Sequence, residues 1–457
     1  MRETTFTVTS IATYINRIKS HFPHRDGFST KSGLFHFDYQ ENGERSRVHL
    51  RIDTDGSGLL IVNASRIMHL NPTAAQMALL ILRKTPEDIA LRSLSKSYDV
   101  PSNRLLDDYA QTTYQINELI KPDGACPIHD LNLEVTPPFS TRPMAPYRMD
   151  LAVTYRCNND CAHCYNARPR EYPEISTAEW HTILDRLWAI GIPHVVFTGG
   201  EPTLRKDLPE LITHAQQNGQ ITGLNTNGRR LSDASYVEQL VNSGLDHVQI
   251  TLESHDPEIH DAMVNSQGAW KQTVSGIHNV LETPLYVMTN TTMLTTNSPW
   301  LSQTLEFLAA LGVPTIGLNA LIYSGRGLTV NSGLAETELP PLLNNARQIT
   351  TEHNQTLIWY TPTQYCNFDP MQLELGVKGC SAAMYNMCIE PNGDVIPCQS
   401  YYLRVGNILT TPWKKIWNHD LSIYLREHKY VPEKCTGCAL LHECGGGCPM
   451  MIKNSGN

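Results

Sequence analysis

Hydrophobic and polar positions alternate with period two in two short runs, 47–53 and 59–63, on either side of the turn-rich Thr54-Asp55-Gly56-Ser57-Gly58. This pattern predicts a hairpin. A third short extended run, 66–71, precedes three stretches with helical spacing at 72–84, 86–98 and 101–120. Each of these begins at a proline (Pro72, Pro86, Pro101), which a first helical turn tolerates. Three strands and three helices make a small domain over 47–121, after a first segment, 1–46, with no pattern that predicts an element. Residues 122–147 hold six prolines and little periodicity, so they read as a linker.

From Met149 the pattern changes. Six extended apolar runs (149–154, 194–199, 221–226, 247–252, 285–293 and 315–321) alternate with amphipathic helical stretches. The first of these helices presents Trp180, Ile183, Leu184, Leu187 and Trp188 on one face, and Ser176 with Glu179 predicts a capping box at its start. Repeated strand–helix units argue for a parallel α/β sheet, open or partly closed into a barrel, with chemistry at the carboxyl ends of the strands. A core domain is expected over 148–330 and a bridging helix within 331–354. An irregular region rich in Cys, Gly and Pro follows over 355–457.

Composition narrows the class. Of 457 residues, 41% are hydrophobic and 18% charged, which excludes a disordered or fibrous chain. A net charge of −9 argues against nucleic acid as a partner. The longest apolar runs, such as 78–82, fall far short of a bilayer span, and the N-terminus lacks a signal-peptide pattern. No membrane partner and a cytoplasmic location are therefore expected. In that compartment twelve cysteines need a reason other than disulfides. Cys126 stands alone in the linker and reads as a structural or incidental thiol. Cys157, Cys161 and Cys164 lie within eight residues, and Cys366, Cys380, Cys388, Cys398, Cys435, Cys438, Cys444 and Cys448 fall in the last quarter. Such clustering favours soft-metal ligation.

Cys157-Asn-Asn-Asp-Cys161-Ala-His-Cys164 follows the first core strand. Three thiolates can hold three irons of a four-iron cluster and leave the fourth iron open. The competing reading is a closed zinc knuckle with His163 as an awkwardly spaced ligand. The C-x3-C-x2-C spacing, with His163 before its last cysteine, resembles the signature of the radical S-adenosylmethionine (SAM) superfamily. The second core strand ends in Thr198-Gly199-Gly200-Glu201-Pro202, which resembles that superfamily's second motif.

The resemblance implies a partial (β/α)6 barrel, a SAM-binding 4Fe-4S cluster on Cys157, Cys161 and Cys164, and SAM contacts from His163, Gly199, Gly200, Glu201 and Pro202. Glu201 is expected to accept hydrogen bonds from the aminium group of SAM, with Asn227 and Thr251 near the nucleoside. It further implies an electron donor such as flavodoxin or ferredoxin, and a 5′-deoxyadenosyl radical that takes a hydrogen atom from a substrate held close by.

Cys380-x12-Gly393-x4-Cys398 followed by Cys435-x2-Cys438-x5-Cys444-x3-Cys448 resembles the SPASM extension of these enzymes, which houses auxiliary 4Fe-4S clusters. A pair of zinc sites would use the same ligand types. By resemblance one cluster uses Cys380, Cys398 and Cys448, with Cys366 as its fourth ligand. The other uses Cys435, Cys438 and Cys444. The family's last cysteine, beyond the Cys448 position, has no counterpart before Asn457. Cys388, an open iron or the absence of that cluster are the alternatives. Gln399 follows Cys398 where some relatives carry an acidic residue, so no general base is assigned.

The segments 59–63, 67–71 and the helix start after them resemble PqqD-like recognition elements, winged-helix modules that bind the leader of a ribosomally made precursor peptide by adding it as a strand. The combined resemblance implies a peptide maturase. A thioether crosslink is the first expectation. Carbon–carbon crosslinking, backbone excision, decarboxylation, epimerisation, or action on a folded protein or small molecule are alternatives.

Overall fold

The computed structural model describes residues 31–41, 44–63, 66–121, 143–168, 170 and 172–455. The chain divides into two compact units at residue 135.

In the first unit, strands β1 (Gly33–Glu41), β2 (Glu44–Ile52), β3 (Gly58–Val62) and β4 (Arg66–Leu70) form one antiparallel sheet in that order. Helices α1 (Pro72–Leu82), α2 (Glu87–Ser97) and α3 (Ser102–Ile120) follow. The hairpin, the third strand and all three helices lie where the sequence places them. Strand β1 was not expected, yet Phe35, Phe37 and Tyr39 alternate on it and pack on the core. That core joins Val48, Leu50, Leu60 and Val62 to Ala75, Leu79, Ile116 and Leu119. Asn71 caps α1 by accepting the Ala74 N–H at 2.8 Å. The C-terminal end of α3 is tied to the sheet, where Arg66 donates to the Leu119 carbonyl at 2.7 Å and the Ser46 hydroxyl to that of Ile120 at 2.8 Å. With β1 on one side, β4 is the sheet's remaining edge among the described residues.

The second unit is built on a ten-stranded sheet. Strands β5 (Arg148–Thr154), β6 (His194–Gly199), β7 (Ile221–Thr226), β8 (His247–Thr251), β9 (Tyr286–Met293), β10 (Thr315–Ala320) and β11 (Thr356–Trp359) stand in chain order, each parallel to the next. Sequential parallel strands with crossovers of one hand place the helices on one face. That face carries Met149, Leu151, Val153, Val195, Phe197, Leu224, Val248, Ile250, Ile316 and Leu318, all in one apolar core with the helices. The helix after β5, α4 (Thr177–Ile190), shows the pattern in detail. Its capping box between Ser176 and Glu179 is formed, and Trp180, Ile183, Leu184 and Leu187 are fully buried, whereas Trp188 is only partly so.

Two expectations change here. Helix α10 (Leu339–Glu352) buries Leu339, Leu343 and Ala346 in the same core and leads directly into β11. The stretch 331–354 thus forms the sixth crossover, which leads into a seventh parallel strand of this sheet. On the other edge, β12 (Asn386–Ile389) pairs parallel to β5 and continues antiparallel into β13 (Asp394–Ile396) and β14 (Gly406–Asn407). The cysteine-rich region therefore shares the core's sheet. The last linker residues also pack, with Ala145 fully buried in the core.

Candidate functional site

Side chains of a strand alternate between faces, so the residues opposite the helix layer line a concave inner wall. From β5 to β10 these include Asp150, Ala152, Thr154, Thr198, Asn225, Gln249, Thr251, Asn290 and Asn319, with the alternate positions in the apolar core. The wall is polar, unlike the outer face. Asn290 Nδ2 donates to Asn319 Oδ1 at 2.8 Å, and the buried Oδ1 of Asn290 has no hydrogen-bond partner. Thr251 pairs in register with Asn290 on this wall.

The three-cysteine loop starts at the carboxyl end of β5, where a register shift between Ala152 and Thr154 redirects the chain. Its backbone is tied on every side. Asp160 and Ala162 donate their N–H groups to the carbonyls of Val264 and Met263 at 3.0 and 3.1 Å, at the end of the helix Pro257–Val264. Arg326, beyond β10, donates to the carbonyls of Asp160 and Cys161 at 3.0 Å each and pairs with the Asp160 carboxylate. The Arg326 N–H takes the Cys164 carbonyl at 3.0 Å. Arg229 donates to the Asn158 carbonyl at 2.5 Å and to Asn159 Oδ1 at 2.8 Å. With the carbonyls so engaged, the sulfurs remain as the loop's uncommitted donors. Burial pushes the Cys157 thiol up to about 11, and the charges of Glu201 and Cys164 add to it. Cys161 is raised by burial and by Glu253, Cys164 and Cys157. Such mutual influence requires the three sulfurs to be close. A soft metal that takes them as thiolates relieves the repulsion.

The Gly199-Gly200-Glu201 segment is zipped to the residues just before Cys157. Gly200 N–H donates to the Thr154 carbonyl at 2.8 Å and Glu201 N–H to that of Arg156 at 2.9 Å. Gly199 has φ +132°, and a Cβ there would lie 2.0 Å from the Thr154 oxygen, so only glycine fits. Pro202 opens a short 3-10 turn, Pro202–Leu204. The Glu201 side chain turns inward. It is fully buried, with Oε1 accepting from Thr203 N–H (3.0 Å), the Thr203 hydroxyl (2.6 Å) and the Thr226 hydroxyl (2.8 Å), and Oε2 accepting from Asn227 N–H (2.8 Å). Burial raises its pKa while these bonds oppose the rise. Glu201 thus ties the ends of β6 and β7 together, with three donors on Oε1 and one on Oε2. Asn227 is likewise engaged, donating from Nδ2 to Asn158 Oδ1 at 2.7 Å, so it reaches the cysteine loop.

His163 meets a residue the sequence reading missed. Its Nε2 lies 3.0 Å from Oε1 of Glu253, two residues beyond β8, and Glu253 Oε2 accepts the Thr292 N–H at 2.8 Å. Burial pulls the His163 pKa down, and Glu253 more than reverses it. Glu253 carries no sequence motif. Its position just past a strand's carboxyl end was the available signal.

The other cysteines form two groups. Cys380 is raised by burial and then by Cys448 and Cys398. Cys448 is pushed up to about 11 by burial, with Cys398 adding. Cys435 is raised by burial and then by Cys366, opposed by Lys434, with Cys438 adding. Burial likewise raises Cys444, the Tyr365 and Gly446 N–H groups oppose, and Cys435 and Cys366 add. Cys366, expected beside Cys380, thus stands with Cys435 and Cys444. Cys388 is reached by the charge of Cys398 but not by those of Cys435, Cys438 or Cys444. It is fully buried on β12 with Ala152 and Ile396. Cys126 lies outside the described residues. The Gln399 side chain accepts from the Tyr165 hydroxyl, next to Cys164.

Comparisons with known proteins agree with this architecture. Residues 151–308 match the Radical SAM superfamily, and residues 380–439 match SPASM, an iron–sulfur cluster-binding domain. The AdoMet-dependent heme synthase of Oleidesulfovibrio alaskensis is 28% identical over 316 residues, covering 64% of this chain and 80% of the relative. Among solved structures, Streptococcus suis SuiB bound to its precursor peptide SuiA superposes with a TM-score of 0.64 at 18% identity, over 88% of this chain and 95% of that one. The enzyme anSMEcpe with bound AdoMet gives 0.53 at 17% identity, over 66% and 89%. No helix among the described residues is long and apolar enough to cross a membrane. The paired cysteine loop and Gly-Gly-Glu strand end lie in a radical SAM domain over 151–308, and the cysteine-rich extension of the sheet in a SPASM domain over 380–439, so the chain carries the domains of an enzyme that uses SAM and 4Fe-4S clusters.

Proposed function

We propose that the enzyme modifies a ribosomally made precursor peptide, whose leader binds the N-terminal unit while its core meets the polar inner wall. The observation that carries this reading is the loop of Cys157, Cys161 and Cys164, held by Arg229, Arg326 and the Gly199–Glu201 zipper at the rim of that wall. These three thiolates would hold the SAM-binding cluster. The bound cofactor supplies a 5′-deoxyadenosyl radical when an electron arrives from a flavodoxin or ferredoxin. The chain's own residues set the loop's shape. The auxiliary thiolates are Cys366, Cys380, Cys398, Cys435, Cys438, Cys444 and Cys448.

A recognition element of the PqqD type would add the leader along β4, one of the sheet's two edges among the described residues, beside α3. Ile67 on β4 and Tyr114 on α3 are 45% and 57% exposed, as anchors for such a strand would be. Tethering there raises the local concentration of the core peptide at the wall. The precursor peptide that superposable SuiB binds supports a peptide substrate. A thioether remains the favoured product. Forming it breaks one C–H bond, whose hydrogen atom the radical takes, and one S–H bond, whose proton passes to solvent, while the remaining electron passes to an auxiliary cluster in the same chain.

The test is co-expression with the short reading frame adjoining the gene, followed by mass analysis of the peptide. Loss of two hydrogens, abolished by Ile67→Lys in the full chain while SAM cleavage without peptide persists, is the expected result. A peptide of unchanged mass with active enzyme would favour a small-molecule substrate, the class that the heme synthase relative's name denotes.

A further inference from the structure

Cys435, Cys438 and Cys444 lie close in sequence, and the fold brings a fourth cysteine to them from elsewhere. After β11 the segment 363–367 runs directly over Cys444. Tyr365 N–H donates to Cys444 Sγ at 3.4 Å, and that thiol in turn lies 3.6 Å from the Thr363 carbonyl. Gly447, three residues on, is pressed against the same segment, where a Cβ would sit 3.2 Å from the Gln364 nitrogen. Glu336 fixes the segment on both sides of Cys366. Its Oε1 accepts the Gln364 N–H at 3.0 Å, and its Oε2 accepts Asn367 Nδ2 at 2.9 Å. Between these clamps Cys366 is exposed, and its thiol makes only a 3.9 Å contact with its neighbour Asn367. It is held in place without being used by the core.

Cys388 cannot serve instead. It is fully buried on β12 in register with Asp150, its thiol 3.7 Å from the carbonyl of the next residue, Ile389. The charges that reach it belong to Asp150, Glu390 and Cys398, not to Cys435, Cys438 or Cys444.

We propose that Cys366 completes a four-thiolate set with Cys435, Cys438 and Cys444, leaving Cys380, Cys398 and Cys448 to the other auxiliary site. The set with Cys366 is then coordinatively closed and suits electron transfer. This partition rests on the auxiliary clusters and not on the peptide reading, so iron analysis without peptide tests it alone.

The parent protein for the test is the full chain with Cys157→Ala, Cys161→Ala and Cys164→Ala, reconstituted anaerobically, which should hold about eight irons as two clusters. Adding Cys435→Ala and Cys438→Ala should leave about four irons. Adding Cys366→Ala to that variant should change nothing, and a further loss of iron would assign Cys366 to the other set and overturn the partition. In the parent, Cys366→Ala should lower the iron content and alter the electron paramagnetic resonance of one reduced cluster, whereas Cys388→Ala should do neither. An unchanged spectrum and iron count for Cys366→Ala, or lost iron for Cys388→Ala, contradicts the assignment.

Discussion

Glu253 Oε1 lies 3.0 Å from His163 Nε2, so a carboxylate at the end of the fourth core strand holds the ring that sits between two cysteines of the metal-binding loop. Partners that orient such loops typically change metal affinity or activity by about 10–100-fold when removed. Glu253→Ala is therefore expected to slow SAM cleavage by at least about ten-fold. Its auxiliary iron should be intact by iron analysis after reconstitution.

Arg326 acts on the same loop from the other side through two carbonyls. Arg326→Ala should release iron from this loop to a chelator about ten times faster than the native protein. Arg326→Lys should recover only part of the loss, since one ammonium cannot reproduce the planar fork.

The Glu201 carboxylate satisfies two backbone N–H groups and two hydroxyls in a fully buried setting. Glu201→Ala leaves those donors without a partner, and a loss of about 2–3 kcal/mol in urea unfolding is expected. Glu201→Gln should retain more of the stability, because its amide oxygen can still accept.

How much of this was legible beforehand differs by residue. Asn71-Pro72, Pro86 and Pro101 announced the helices because capping and proline geometry are local. Strand β1 was missed although Phe35, Phe37 and Tyr39 alternate, since polar neighbours and flanking turn residues hid a strand that only pairing with β2 stabilises. The four residues of β11 are too few for periodicity to register. The cysteine loop and the glycine pair could be read from spacing. The role of Glu201 could not, because its four donors come from β7 and the turn after β6. Nor could the grouping of Cys366, since spacing along the chain says nothing about which distant loop folds over Cys444.

His247, on the inner wall, gives a pH signature. Burial, with Arg148 adding, pushes its imidazole down to about 4, and its Nε2 is 2.8 Å from that of His194. The unfolded chain takes up the proton near pH 6.5, before the native state does, so stability is full above that value and declines as pH falls toward 4. The depression from roughly 6.5 to about 4 corresponds to about 3 kcal/mol at the acid end. Urea midpoints measured from pH 7 to pH 4.5 should fall less steeply for His247→Phe than for the native chain. Equal slopes would show that this imidazole is not the group that titrates.

Because Ile67 lies on an edge strand, exposed and outside the core, Ile67→Lys should leave folding within about 0.5 kcal/mol of native. Peptide affinity by fluorescence anisotropy should drop at least about ten-fold, which corresponds to roughly 1.4 kcal/mol.

The most direct measurement is the yield of 5′-deoxyadenosine from anaerobically reconstituted protein given SAM and a strong reductant. The native chain should produce it, and Cys161→Ala should not, while keeping about eight auxiliary irons. Product formation at an undiminished rate in Cys161→Ala would place the chemistry elsewhere and contradict the account.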